Sequence, residues 1–141
     1  MSKIAIVYWS GTGNTEAMAN AVLEGINETG AEGNLYTAAE FSAELMDDYD
    51  AVAFGCPSMG SEQLEDSEFE PMFKSCEENL SGKKIALFGS YGWGDGEWMR
   101  NWAEICRNDG AVLACDFVIC CDAPDEEAVA ACKELGKTLA Q

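Results

Sequence analysis

Five short apolar runs alternate with segments of helical spacing, and that alternation restricts the fold more than any other feature of the chain. Ile4-Ala5-Ile6-Val7-Tyr8 is continuously apolar, as expected of a strand covered on both faces. A helix is predicted from near Asn14, where Met18, Val22 and Ile26 recur every four residues and Gly30 and Gly33 punctuate the end. A weak strand, Asn34-Leu35-Tyr36, follows near a sheet edge. Ala51 to Cys56 and Lys84 to Phe88 are two further buried strands, and Val112-Leu113 through Cys121 is the last. Between these strands, Phe69, Met72, Phe73 and Cys76 share one helical face, and Met99, Trp102 and Cys106 share another. Val129, Cys132, Leu135 and Leu139 do so in the closing helix. Strand and helix alternating in this way imply βαβ units and a parallel sheet sandwiched between helices. The chain has 141 residues, enough for one such core, and is read as one doubly wound α/β domain over residues 1–141.

Charge and residue usage exclude several functions. Acids outnumber bases 26 to 8, for a formal net charge of -18, a balance that repels nucleic acid and anionic membranes and suits basic partners. Histidine is absent, so Ser-His-Asp and Cys-His nucleophile pairs and His-ligated zinc or haem are out of reach. No two of the seven cysteines stand in C-x-x-C spacing, which argues against ferredoxin-type clusters and zinc knuckles. They are expected to be reduced thiols in a cytoplasmic protein, most of them small core residues. The run Ile4 to Trp9 is too short for a signal segment or a membrane span.

Ligands of such sheets bind at the carboxyl ends of the strands, so chemistry is sought after strands one, three and four. Strand one runs into Ser10-Gly11-Thr12-Gly13-Asn14-Thr15 and directly into a helix. The glycines permit a tight turn with open amides, and three hydroxyls and one carboxamide add neutral donors. The positive end of the helix completes an anion site without a basic side chain. A P-loop would need a lysine that is not there, and a dinucleotide fingerprint would need glycine at Glu16. An ordinary capped glycine turn is the plainer alternative. A phosphate, with three oxygens to satisfy, suits the cluster of hydroxyls.

Strand three leads to Cys56-Pro57-Ser58 and then Met59-Gly60-Ser61-Glu62, the make-up of a tight turn or simply of a surface loop. Strand four leads to Gly89-Ser90-Tyr91-Gly92-Trp93-Gly94-Asp95-Gly96, where four glycines surround two large aromatics. A tryptophan between glycines suits stacking on a flat ring better than core packing. Trp98 and Trp102, at helical spacing, are expected to be core residues instead. The three loops together describe a phosphorylated ligand with a flat ring and no acid–base pair or nucleophile beside it. That is a redox cofactor more than a bond-breaking site.

The stretches Y-W-S-G-T-G-N-T-E-A-M-A, G-C-P-S-M-G-S-E and L-F-G-S-Y-G-W-G-D-G-E-W closely resemble the short-chain flavodoxins of anaerobic bacteria, and the likeness spans essentially the whole chain. The resemblance implies a flavodoxin-like three-layer sandwich, a five-stranded parallel sheet of order 2-1-3-4-5, and one non-covalent FMN. It assigns Ser10 to Thr15 to the phosphate and Trp9 to the neighbourhood of the ribityl chain. Met59 matches the residue on the inner face of the isoalloxazine ring, Trp93 the one on its outer face, and Glu62 the acceptor for ring N3. Gly89, Ser90, Tyr91, Gly92 and Gly94 match the third loop, while Ser58 stands where relatives vary.

By the same analogy the Gly60-Ser61 peptide turns its carbonyl toward flavin N5 on one-electron reduction. Glycine makes that turn cheap and so favours the semiquinone. The implied role is a low-potential one-electron carrier, a monomer cycling between semiquinone and hydroquinone. Its partners would be basic docking faces of redox enzymes such as ferredoxin-linked oxidoreductases. The competing reading is an FMN-dependent reductase acting directly on quinones, for which no pyridine-nucleotide site is evident. The acids also gain a location. Residues 1–73 hold 14 acids and one base, and Glu62, Glu65, Asp66, Glu68 and Glu70 crowd the segment after the second loop. That cluster is expected to steer basic partners and to disfavour an anionic reduced flavin.

Overall fold

The structure is a computed structural model and describes residues 2–59, 63–92 and 94–141. The elements run β1 (Lys3–Tyr8), α1 (Asn14–Glu28), β2 (Glu32–Thr37), α2 (Ala43–Met46), β3 (Ala51–Gly55), α3 (Phe69–Cys76), β4 (Lys84–Tyr91), α4 (Glu97–Asn108), β5 (Val112–Leu113), β6 (Val118–Cys121) and α5 (Glu126–Leu139). The sheet order is β2-β1-β3-β4-β5, as expected, with β6 also on β4 and every strand pair parallel.

The apolar runs form strands because both of their faces are buried. Ala5, Val7, Val52, Phe54, Ile85 and Leu87 point to one side, into a core shared with α3 and α4. Ile4, Ile6, Ala51, Ala53, Ala86 and Phe88 point to the other, against α1 and α5. Trp98 and Trp102 are buried, as their helical spacing predicts. On the opposite layer α1 and α5 touch through glycine. A Cβ on Gly25 would lie 2.0 Å from the Lys133 carbonyl oxygen, and one on Gly136 would lie 2.3 Å from that of Val22.

Three details differ from the sequence reading. Gly33 lies inside β2, paired with Ile4, and only Gly30, at φ 86°, ends the helix. The four-residue α2 carries no periodic signal long enough to read. The last strand is broken: Val112 and Leu113 pair with Lys84 and Ile85, and Val118 resumes opposite Phe88. Four residues, 114–117, therefore span what β4 covers with two, a bulge on an edge strand that carries Asp116 out to solvent. Among the described residues no helix is long and apolar enough to cross a membrane.

Because the strands are parallel, the segments after β1, β3, β4 and β6 emerge on one edge of the sheet. The site is there.

Candidate functional site

The first loop is folded by one side chain. Ser10 Oγ accepts hydrogen bonds from the amides of Gly13 (3.0 Å) and Glu16 (3.3 Å). Gly13 stands at the head of α1 with φ 96°, a left-handed conformation in which a side chain is strained, and it gives the helix no side-chain cap. The Asn14 and Thr15 amides have no carbonyl one turn back to bond, so the positive helix end is open. Thr15 is 1% exposed, and its Oγ1 has no hydrogen-bond partner among the described residues. A buried hydroxyl left unpaired costs about 1–3 kcal/mol, so this one is poised for an acceptor. Trp9 lies against the open face of Gly11, where a Cβ would sit 3.1 Å from its ring.

The second loop is tied to the third. The Cys56 amide donates to the Phe88 carbonyl (3.1 Å) and the Ser58 amide to that of Ser90 (3.0 Å), while Trp98 Nε1 donates to the Cys56 carbonyl (3.1 Å). Burial pushes the Cys56 thiol far up, so it is inert. Met59 and Gln63 exchange two backbone hydrogen bonds, of 2.8 and 2.9 Å, as an isolated antiparallel bridge. The Met59 side chain is left 38% exposed on the rim.

Glu65 overturns part of the acidic-cluster expectation. It is 5% exposed and cannot face a partner. Its carboxylate instead receives the amides of Ser67, Glu68 and Phe69, each at 2.8 Å, together with the Ser67 hydroxyl. Burial alone would raise this acid, but those donors outweigh it and hold the carboxyl down at about 2. Asp66 and Glu68 remain exposed.

In the third loop, Ser90 Oγ donates to the Asp122 carbonyl (2.6 Å) and the Asp122 amide to that of Tyr91 (2.8 Å). Asp122 holds φ 59°, a left-handed conformation that aspartate tolerates better than most residues. The Tyr91 ring rests on Trp98 with centroids 5.5 Å apart.

These loops enclose a cleft of about 240 Å³. Of the predicted residues it is lined by Trp9, Ser10, Gly11, Thr12, Asn14 and Thr15 on the first loop, Ser58 and Met59 on the second, and Ser90, Tyr91 and Gly92 on the third. Gly13 faces a neighbouring cleft on the far side of the first loop, and Gly94 is an exposed turn residue with φ 91°. Gly89 is not a lining residue. It lies in β4, where a Cβ would be 2.2 Å from the Cys56 carbonyl oxygen, so its role is to let the second loop approach. Gly60, Ser61, Glu62 and Trp93 lie outside the described residues.

Pro57 and Asp122 line the cleft without having been singled out. The signal for Asp122 was its place at the end of the last strand, on the edge that carries the other three loops.

The donor set fits FMN. Hydroxyls and an open helix terminus stand at one end, and Met59 and Tyr91 offer apolar surface at the other. Among the described lining residues there is no lysine or arginine. A phosphate there would be held by neutral donors and the helix dipole.

Comparison with known proteins agrees. The sequence model of the family described as Flavodoxin matches residues 6–136. The flavodoxin of Clostridium beijerinckii is 46% identical over 135 residues, covering 96% of this chain and 97% of that one. That of Megasphaera elsdenii is 43% identical over 138 residues, covering 98% of each. The solution structure of the two-electron-reduced Megasphaera elsdenii flavodoxin superposes with a TM-score of 0.90 at 44% identity, over 97% of this chain and 98% of that one. With its fold, its cleft and its full-length relatives in agreement, the chain belongs to the flavodoxin family of FMN-binding electron carriers.

Proposed function

We propose that the chain is a low-potential one-electron carrier, with a single FMN held between the loops after β1, β3 and β4. The observation that carries this reading is the buried Thr15 hydroxyl, without a partner among the described residues, at the open end of α1, in a cleft whose far rim is Met59 and Tyr91. When bound, FMN supplies the capacity to take up and release electrons one at a time. Ser10, Thr12, Asn14 and Thr15 hold the phosphate, Ser10 donating its own hydroxyl hydrogen while accepting two loop amides. Met59 covers one face of the ring, and Ser90, Tyr91 and Gly92 form its rim. Gly60, Ser61, Glu62 and Trp93 are assigned to the ring by resemblance.

The same geometry supports a low potential. The described cleft residues offer no cation, Asp122 is at its edge, and the chain carries a net charge of -18. Negative charge added in such surroundings is opposed by its neighbours and by partial desolvation. Exposed acids such as Asp66 and Glu68 suit basic docking faces on redox enzymes. All seven cysteines are free thiols, in keeping with a cytoplasmic carrier acting as a monomer.

The test is FMN titration of the apoprotein followed by potentiometry of the complex. One equivalent of FMN and two resolved one-electron steps, the second strongly reducing, are expected. A single two-electron step, or rapid turnover of NAD(P)H with a quinone, would refute the assignment.

A further inference from the structure

The geometry points to Glu68 as a positioning residue that joins the phosphate loop to the end of β3; this rests on the cofactor assignment above. Trp9 is the joint. Its half-buried indole forms a wall between two clefts, the one described above and a second lined by Tyr8, Glu16, Thr37 and Glu68. The six-membered ring of Trp9 lies on Gly11, and its Nε1 donates to Glu68 Oε1 at 3.1 Å. Glu68 is itself fixed, since its amide donates to the buried Glu65 carboxylate at 2.8 Å. The Glu65 amide in turn points at Cys56 Sγ, 3.4 Å away at the end of β3. A continuous path therefore runs from Cys56 through Glu65 and Glu68 to the Trp9 indole and the backbone of Gly11.

The path has a function because the first loop has little else to hold it. Gly11 and Gly13 leave its backbone soft, and Ser10 folds it only from within. Trp9 pressed on Gly11 narrows the conformations the loop can adopt, and Glu68 sets the angle of that ring. Pre-ordering a loop in its bound shape raises affinity by lowering the entropy lost on binding. A simple electrostatic role predicts the opposite sign. A carboxylate near a phosphate site repels the dianion, so its removal would then tighten FMN binding.

The sign and the coupling are both measurable by titrating apoprotein with FMN and with riboflavin, which lacks the phosphate. Glu68→Ala and Trp9→Phe are each expected to weaken FMN binding about fivefold, the net worth of one ordinary hydrogen bond. The double variant should lose about fivefold as well, not the roughly twenty-five-fold of independent sites. Glu68→Gln keeps an acceptor oxygen for the indole and should bind FMN as the parent does. Riboflavin affinity should change less than FMN affinity throughout. Tighter or unchanged FMN binding by Glu68→Ala, additivity in the double variant, or a Gln variant as weak as Ala would overturn the coupling while leaving the cofactor site standing. Failure of the parent apoprotein to bind FMN at all would remove both.

Discussion

Replacing Glu65 tests whether a carboxylate inside an acidic chain is structural rather than electrostatic. Folding brings it from an ordinary value of 4.5 to about 2, because three amides and a hydroxyl bind the charged form. A shift of that size corresponds to roughly 3 kcal/mol of folding stability at neutral pH. The sign follows from the depressed value. The contribution is complete above the unfolded carboxyl range and is lost as the pH falls from about 5 toward 2.

Glu65→Gln keeps the shape but removes the charge and sets a donor NH2 against a backbone amide such as that of Ser67. Urea unfolding of both proteins without FMN, at pH 7 and pH 3, should give a difference of roughly 3 kcal/mol at pH 7 and about half of that at pH 3. The other acids titrate in both proteins and cancel from the difference. A loss below about 1 kcal/mol at pH 7, or an equal loss at both pH values, would refute the capping account and return Glu65 to the surface cluster.

Thr15→Val deletes a hydroxyl that has no partner among the described residues, so apoprotein stability should hold or rise slightly while FMN affinity falls about tenfold. Paired urea unfolding and FMN titration would separate the two effects. Gly89→Ala would place a methyl 2.2 Å from the Cys56 carbonyl oxygen, backbone that yields only by moving the second loop. Thermal unfolding should show a loss of about 2 kcal/mol or more. Among the thiols, exposed Cys121 should react first with an aromatic disulfide reagent. Cys106 and Cys132, pushed up to about 12 chiefly by burial, should react only on unfolding, as should Cys56. Peptide mapping of the labelled protein gives the order.

The strands and the three loops were legible because their signals are local, whereas the sheet order came only with the family resemblance. A buried parallel strand must be apolar on both faces, and a turn between strand and helix must carry glycine. The broken last strand was not legible, because its apolar residues continue across a bulge that only the register against β4 reveals. Gly89 was read as a cofactor residue since it begins a glycine-rich run. The nearby carbonyl that requires glycine belongs to Cys56, 33 positions earlier in the chain. Glu65 was hidden for a similar reason. In sequence it is one acid among neighbours, and only the start of α3 distinguishes it from Asp66.

The chain has 26 acids and 8 bases, so most carboxylates cannot be answered by side-chain cations. The backbone answers several of them. Glu65 binds the first amides of α3, Asp125 caps α5 by accepting from Ala128 at 2.8 Å, and Glu40 accepts from the Thr37 amide at 2.8 Å. Helix α1, like α4, has no such carboxylate cap. Gly13 stands at its head, and the acid of its first turn, Glu16, takes the Tyr8 hydroxyl at 3.0 Å instead of the helix amides. The side chain that does reach those amides is the uncharged Ser10, and beside it the buried Thr15 hydroxyl has no partner among the described residues. Carboxylates neutralise the heads of α3 and α5, whereas the head of α1 keeps open amides and hydroxyls whose charge and donors suit a phosphate. An acidic protein can in this way bind an anionic cofactor without lysine or arginine at the phosphate loop, an arrangement that would also keep cations away from the cofactor's ring.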